Sequence, residues 1–456
     1  MAIIAEELEE TQQPISTSTP TSNTVSVSSA FTFWAYFTLL VSLITLLFIF
    51  INYLTPIDDK SWFLSLPTDV RLHYSKGRTI KVQTTYDGSP FQVFAIKNGP
   101  RASERPETVF LIHGFGCTSY SFRNVVRSLG LNGFRAVAID LPGSGFSDRL
   151  PVGNGERRGG VLGRMWDVYS DIKEKGIFWG FDQLVETGSI PYEEHIEKSR
   201  VFTAIGVSEE IGRVIGQVID SMGLSPVHLV LHDSALLMAA NWVSENSGSV
   251  SSLTLVDTSP RFTALPLGVL ETPIVRELVL GVSYVYAKVL RLCCSRSMKM
   301  SVVESHRALL SGRKGMRAIV EVAKGLNYSF DMGEWRGSDS IKDLPVQVIW
   351  SSNWSDKWSD EGRRIADSLS GASLVMHSGG RWPQEDASDE VAEAITHFIS
   401  SLPKSVKQVK KEPLPEHIQK MFDEAKKGDH HHGHEHHGDH TPGYMDAYGL
   451  GQGWGS

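Results

Sequence analysis

The sequence predicts an α/β chain. Its expected core is a doubly wound, mostly parallel sheet with a helical cap insertion, and one transmembrane helix precedes it. Three features carry that expectation. Six short apolar runs between residues 108 and 380 end in turn residues, as strands covered on both faces do. Helix-like stretches alternate with these runs, the pattern of βα units. Residues 31–54, FTFWAYFTLLVSLITLLFIFINYL, hold no charge over 24 positions, enough to cross a hydrocarbon core of about 30 Å.

Composition bounds the answer. With 41% hydrophobic and 21% charged residues in 456, neither wholesale disorder nor a polytopic membrane protein fits. A net charge of -8 argues against nucleic acid as a partner, because phosphate binding needs a concentrated basic face. The three cysteines, Cys117, Cys293 and Cys294, cannot build a disulfide framework, and the adjacent two are a poor pair geometrically. No CxxC is present, so cysteine-held structural zinc is out.

In chain order, residues 1–30 hold four Glu, no Lys or Arg, and a Ser/Thr/Pro-rich stretch, which reads as a disordered tail. The span at 31–54 follows, with Trp34, Tyr36 and Tyr53 near its ends as interfacial aromatics. A signal peptide does not fit, because the preceding segment is long and acidic. Lys60, Arg71, Lys76 and Arg78 come after the span and nothing basic before it, so the positive-inside rule places the main domain in the cytosol. The sequons Asn327-Tyr328-Ser329 and Asn353-Trp354-Ser355 would be open to glycosylation in a lumenal domain.

The main domain is expected over 60–402. Its strand-like runs are 108–114, 134–143, 226–233, 251–260, 344–352 and 372–380, and its helical stretches are 208–222, 235–245, 360–369 and 388–402. Two segments exceed ordinary loops. Residues 149–205 form one insertion, and residues 261–341, with helix-like stretches at 273–292 and 302–326, form a second, both covering one end of the sheet. Residues 403–456 are a Lys-, His- and Gly-rich tail. His430, His431, His432, His434, His436, His437 and His440 are weak metal-ligand candidates there, and the plainer reading is a solvated flexible tail. No cofactor and no built metal site are expected.

The middle of the chain resembles the α/β-hydrolase family over roughly residues 75–402. The matching residues are His113-Gly114-Phe115-Gly116, then Asp140-Leu141-Pro142-Gly143-Ser144-Gly145-Phe146-Ser147-Asp148, then Arg381-Trp382-Pro383-Gln384-Glu385. The resemblance implies an oxyanion hole from the N–H groups of Phe115 and Ser234, with 261–341 lying over the pocket. Leu231-His232-Asp233-Ser234-Ala235 looks like the nucleophile elbow of epoxide hydrolases and haloalkane dehalogenases, with Asp233 at the nucleophile position.

The base is where this chain departs from the family. Its position is taken by Arg381, and a guanidinium stays protonated at physiological pH. Trp354 stands where the acid usually lies, and Asp257 is a substitute acid. His377, four residues before Arg381, would have to swing across the turn to serve as base. His232 reads as packing, pointing away from Asp233, and His113 as structural. Cys117 lies off the elbow with no expected base. Asp233 and Arg381 are therefore expected to form an ion pair in place of the family's dyad.

The resulting expectation is a membrane-anchored, non-catalytic protein with a membrane-protein partner, a surface for a protein, or a small-molecule ligand in a capped pocket. The competing reading is a divergent membrane-bound hydrolase of ester, epoxide or haloalkane type using Asp233. The layout of acidic start, single span, degenerate domain and His/Gly-rich end is similar to that of a plant accessory protein. That resemblance implies the endoplasmic reticulum membrane and delivery of an auxin influx carrier to the plasma membrane.

Overall fold

The computed structural model describes residues 27–54, 59–84, 88, 90–100, 106–150, 206–312 and 315–403. Two units divide between Leu402 and Pro403. The tail at 403–456 lies outside the described residues but for Pro403, as do residues 1–26 and all but the first two residues of the 149–205 insertion.

The first unit is built on one eight-stranded sheet in the order β1-β2-β4-β3-β5-β6-β7-β8. The strands are β1 (Arg78–Gln83), β2 (Pro90–Asn98), β3 (Thr108–Ile112), β4 (Arg135–Ile139), β5 (Val227–His232), β6 (Val250–Val256), β7 (Val346–Ser351) and β8 (Ser373–His377). The pairings β1–β2 and β2–β4 are antiparallel, and all others are parallel. Six strands match the apolar runs. The edge pair β1–β2 was not anticipated, and its alternating burial gives a weaker pattern than the wholly buried β3, β5 and β7.

The helices are α1 (Val27–Leu54), α2 (Asp59–Ser65), α3 (Thr68–Lys76), α4 (Arg123–Leu131), α5 (Val207–Ser221) and α6 (Ala235–Glu245), then the cap helices α7 (Leu267–Glu271), α8 (Pro273–Gly281), α9 (Ser283–Cys293), α10 (Met300–Leu310), α11 (Gly315–Lys324) and α12 (Met332–Gly337). The chain returns to the sheet with α13 (Asp356–Ser368), α14 (Pro383–Asp386) and α15 (Ser388–Ser401). The long stretches expected at 273–292 and 302–326 are each two helices. The first breaks at Val282, whose backbone is extended.

Period-two alternation divides the core between the faces of the sheet. Phe110, Ile112, Leu229 and Leu231 pack into one apolar cluster with α5, α6 and the cap. Val109, Leu111 and Val230 pack into the other with α3, α4 and α15. Each such buried aliphatic side chain contributes about 1.5–3 kcal/mol. Chain order reverses between β3 and β5, so their carboxyl ends frame the crevice where doubly wound sheets place a site.

Among the described residues no helix is long and apolar enough to cross a membrane, so they do not support the span expected over 31–54. Helix α1 does run over Val27–Leu54, but its described side chains form an unbroken run only over 31–47. Every side chain of that run is exposed and none is charged.

The cysteines differ from their expected state. Cys293 and Cys294 are bonded to each other where α9 ends, while Cys117 is free and buried. Adjacency disfavours such a bond, but the chain leaves helical geometry at Cys294 (φ -133°, ψ -52°).

Candidate active site

Asp233 follows β5 directly and sits at φ 53°, in the left-handed region that few side chains adopt and aspartate tolerates. That turn between β5 and α6 is the expected elbow. Its close neighbour must be glycine, because a Cβ on Gly114 would lie 2.6 Å from the Asp233 Cβ.

The Asp233 carboxylate is fully buried. Its Oδ1 accepts the Ala264 N–H at 2.6 Å and lies 3.7 Å from Nη2 of Arg381, while Oδ2 has no hydrogen-bond partner. Burial pushes its pKa up, against the pull of Arg381, His232 and the N–H groups of Ala264 and Ser234. Arg381 and Asp233 thus face each other, at a looser distance than the roughly 3 Å of a tight guanidinium–carboxylate bond. The guanidinium is held elsewhere as well. Nη2 donates to the Phe262 carbonyl at 2.8 Å, and the group stacks over the Trp358 ring at 4.0 Å.

Residues 262–265 lie across the site. Ala264 places its N–H on the Asp233 Oδ1, and Ala264 and Leu265 are both buried. Leu265 covers the loop after β3: a Cβ on Gly116 (φ 75°) would lie 2.5 Å from its Cδ2. The Phe115 N–H donates to the Ser234 hydroxyl at 3.1 Å, so one of the two expected oxyanion donors already has an acceptor. Beside them, lined by His113, Gly114, Phe115, Leu141 and Met238, remains a cavity of about 10 Å³, room for a single water. A groove of about 640 Å³ lies apart, lined by Pro260, Arg261, Tyr328, Phe330, Glu361 and Arg364 among others.

The histidines are engaged away from Asp233. His232 accepts the Gly114 N–H at Nδ1 (3.4 Å) and faces the Arg381 carbonyl with Nε2 (3.0 Å), and burial lowers its pKa. His113 accepts the Leu141 N–H and donates to the Gly114 carbonyl, and burial pulls its pKa down to about 4. His377 does not swing toward Asp233. Its Nε2 meets Oδ2 of Asp257 at 2.6 Å, and its Nδ1 accepts the Gly379 N–H.

Asp257 is likewise not the partner of a base beside Asp233. It sits at φ 43° after β6, and its Oδ1 accepts from Trp358 Nε1 at 2.8 Å and from the Ser351 N–H at 3.2 Å. Trp354, at the expected acid position, lies under the Arg296 guanidinium at 4.9 Å and donates nothing to the site. Cys117 is buried, with its thiol pKa raised first by that burial and then by Asp233 and Glu385, so no thiolate is available.

A second buried charge group ties the cap to the core. Glu385 receives Arg123 through both carboxylate oxygens (2.6 and 2.8 Å) and His306 of α10 at 2.7 Å. Sequence reasoning missed this group, the 262–265 strap, Trp358 and the His377–Asp257 pair. Only Glu385 lay in a recognised motif. The others depend on contacts between residues 31 to 120 positions apart that no local spacing encodes. The tail histidines, weak metal-ligand candidates, lie outside the described residues, and among the described residues no cluster suits a metal ion.

Among solved structures, this fold is similar to an enol-lactonase from Burkholderia xenovorans (11% identity, 70% of this chain and 100% of that one, TM-score 0.46). It is also similar to an epoxide hydrolase from Vigna radiata (14%, 72% and 99%, TM-score 0.46) and a putative lipase from Acinetobacter baumannii (14%, 73% and 95%, TM-score 0.47). The family model described as alpha/beta hydrolase fold matches residues 107–388, more than half of the chain. The elbow, the reversal of strand order and that match agree, and the chain belongs to the α/β-hydrolase fold family.

Proposed function

We propose that this chain is a membrane-anchored member of the family that has given up hydrolysis and serves as an accessory protein. One observation carries the reading. The nucleophile position faces a guanidinium instead of an imidazole, and the chain's own Ala264 N–H occupies its oxygen. An ester formed on Asp233 would need a water and a base to release it, and Arg381 cannot take a proton.

The uncharged run at 31–54 supports the anchor, because its described side chains are exposed, uncharged and mostly apolar, a surface that water tolerates poorly. The layout's similarity to a plant accessory protein supports residence in the endoplasmic reticulum membrane. It also supports a polytopic partner, an auxin influx carrier on its way to the plasma membrane. A small-molecule ligand is better served by the 640 Å³ groove than by the filled floor at Asp233.

The test is turnover of ester, epoxide and haloalkane substrates by the full chain and by Asp233→Asn. Equal, background rates support the accessory reading. Turnover that Asp233→Asn abolishes returns the alternative, a divergent membrane-bound hydrolase using Asp233, whose strained elbow is intact. Capture of a polytopic carrier from detergent extracts is expected of the accessory protein, and its absence would count against that role.

A further inference from the structure

We infer that the outer face of cap helices α8 and α9 is a docking surface for an anionic lipid bilayer. The two helices are amphipathic in the same sense. On α8, Ile274 (75% exposed), Val275 and Leu278 (58%) form one stripe, while Val279 and Leu280 are buried on the other side. On α9 the exposed positions are Tyr284 (65%), Lys288, Arg291 and Leu292 (79%), spaced i, i+4, i+7, i+8, which is one helical face. Tyr286, Ala287 and Leu290 fill the opposite face. Water ordinarily meets isolated apolar side chains, not two adjoining stripes of them.

Charge names the occupant. The exposed face of α9 carries the cations Lys288 and Arg291 and the helix holds no carboxylate, in a chain whose total is -8, while on α8 Arg276 pairs with Glu277. Lys288 lies over the Tyr284 ring with its ammonium 5.9 Å from the centroid, a cation beside an interfacial aromatic. Bulky apolar side chains interleaved with Lys and Arg suit the boundary between acyl chains and anionic headgroups. An acidic protein partner would need paired carboxylates aimed at fixed cations, and the apolar stripes would remain uncovered. The inference does not rest on anchoring by 31–54, because a peripheral face acts on a membrane reached by any route.

The experiment is hydrogen exchange of the full chain in lipid nanodiscs of phosphatidylcholine with and without phosphatidylserine. Exchange across 274–292 is expected to slow about thirtyfold in the anionic discs, the scale set by two facing cations. Lys288→Glu/Arg291→Glu is expected to remove that difference while β5 keeps its protection, which shows the variant is folded. Should the chain fail to enter discs, the anchor reading falls separately, and the same comparison is made on the chain mixed with vesicles of the two compositions. Equal exchange in both lipids overturns the inference. So does protection that requires a co-extracted membrane protein and ignores lipid charge, which would give the face to a protein partner.

Discussion

Asp233 and Asp257 stand at the ends of neighbouring parallel strands, β5 and β6, and both are fully buried in left-handed backbone. Their surroundings differ. Asp257 is satisfied by Trp358, the Ser351 N–H and His377. Asp233 has one backbone donor, a guanidinium at 3.7 Å and an oxygen with no partner. The fold sets the strained turn in both places, and the elements arriving from elsewhere decide what the carboxylate does. A carboxylate facing a guanidinium lies one strand away from a carboxylate paired with an imidazole. Trp358 is the wall between them: it donates to Asp257 and carries Arg381 on its ring face.

The difference should be largest in stability. Asp257→Ala leaves the indole N–H of Trp358, the Ser351 N–H and the His377 ring without their acceptor, and is expected to cost about 3–5 kcal/mol in urea unfolding of the full chain. A loss below about 1 kcal/mol would erase the contrast between the two aspartates.

Acid should act through the buried histidines His73 (about 3), His113 (about 4) and His228 (about 4), of which His113 braces the loop under the elbow. His113 titrates at about 4 when folded, against the 6.5 of an ordinary imidazole, so the unfolded chain binds the proton first. Its contribution is intact above pH 6.5 and is lost as pH falls toward 4, about 2 kcal/mol by pH 5. Asp140 has the opposite sign. Burial raises it from 3.8 to about 6, so the native state protonates first and regains about 1 kcal/mol at pH 5. His113→Gln is expected to be less stable at neutral pH and to show a shallower decline between pH 7 and 5. An unchanged decline would mean the loop is not where acid acts.

The smallest effect belongs to Asp233 itself. Asp233→Asn keeps the left-handed residue and the acceptor for Ala264, and should change stability by about 1 kcal/mol or less. Because the Asp233 pKa is raised in the fold, protonation favours the native state of the parent chain. The variant's stability relative to the parent is therefore expected to be better at pH 7 than at pH 5. The reverse order would show that Arg381 outweighs burial.

What was legible in the sequence follows from range. The central strands could be read because β3, β5 and β7 are apolar on both faces, and the elbow because its residues are contiguous. The Arg381 substitution was equally local. Residues 262–265 were not legible as a plug, since nothing in Phe262-Thr263-Ala264-Leu265 shows that an alanine N–H will meet a carboxylate 31 positions earlier. His377 read as an idle strand end because its partner lies 120 residues away.

The Glu385 group bears on whether the cap can move. Arg123 comes from the core, His306 from the cap, and the carboxylate between them is buried. Swinging α10 outward removes His306 and leaves Glu385 with the bidentate Arg123 alone, a loss of about 1.5–3 kcal/mol for a hydrogen bond to a charged group, which holds an open state to roughly one molecule in ten to one in 150. The His306–Glu385 contact is thus a latch between cap and core, one side of which stays made when the other opens.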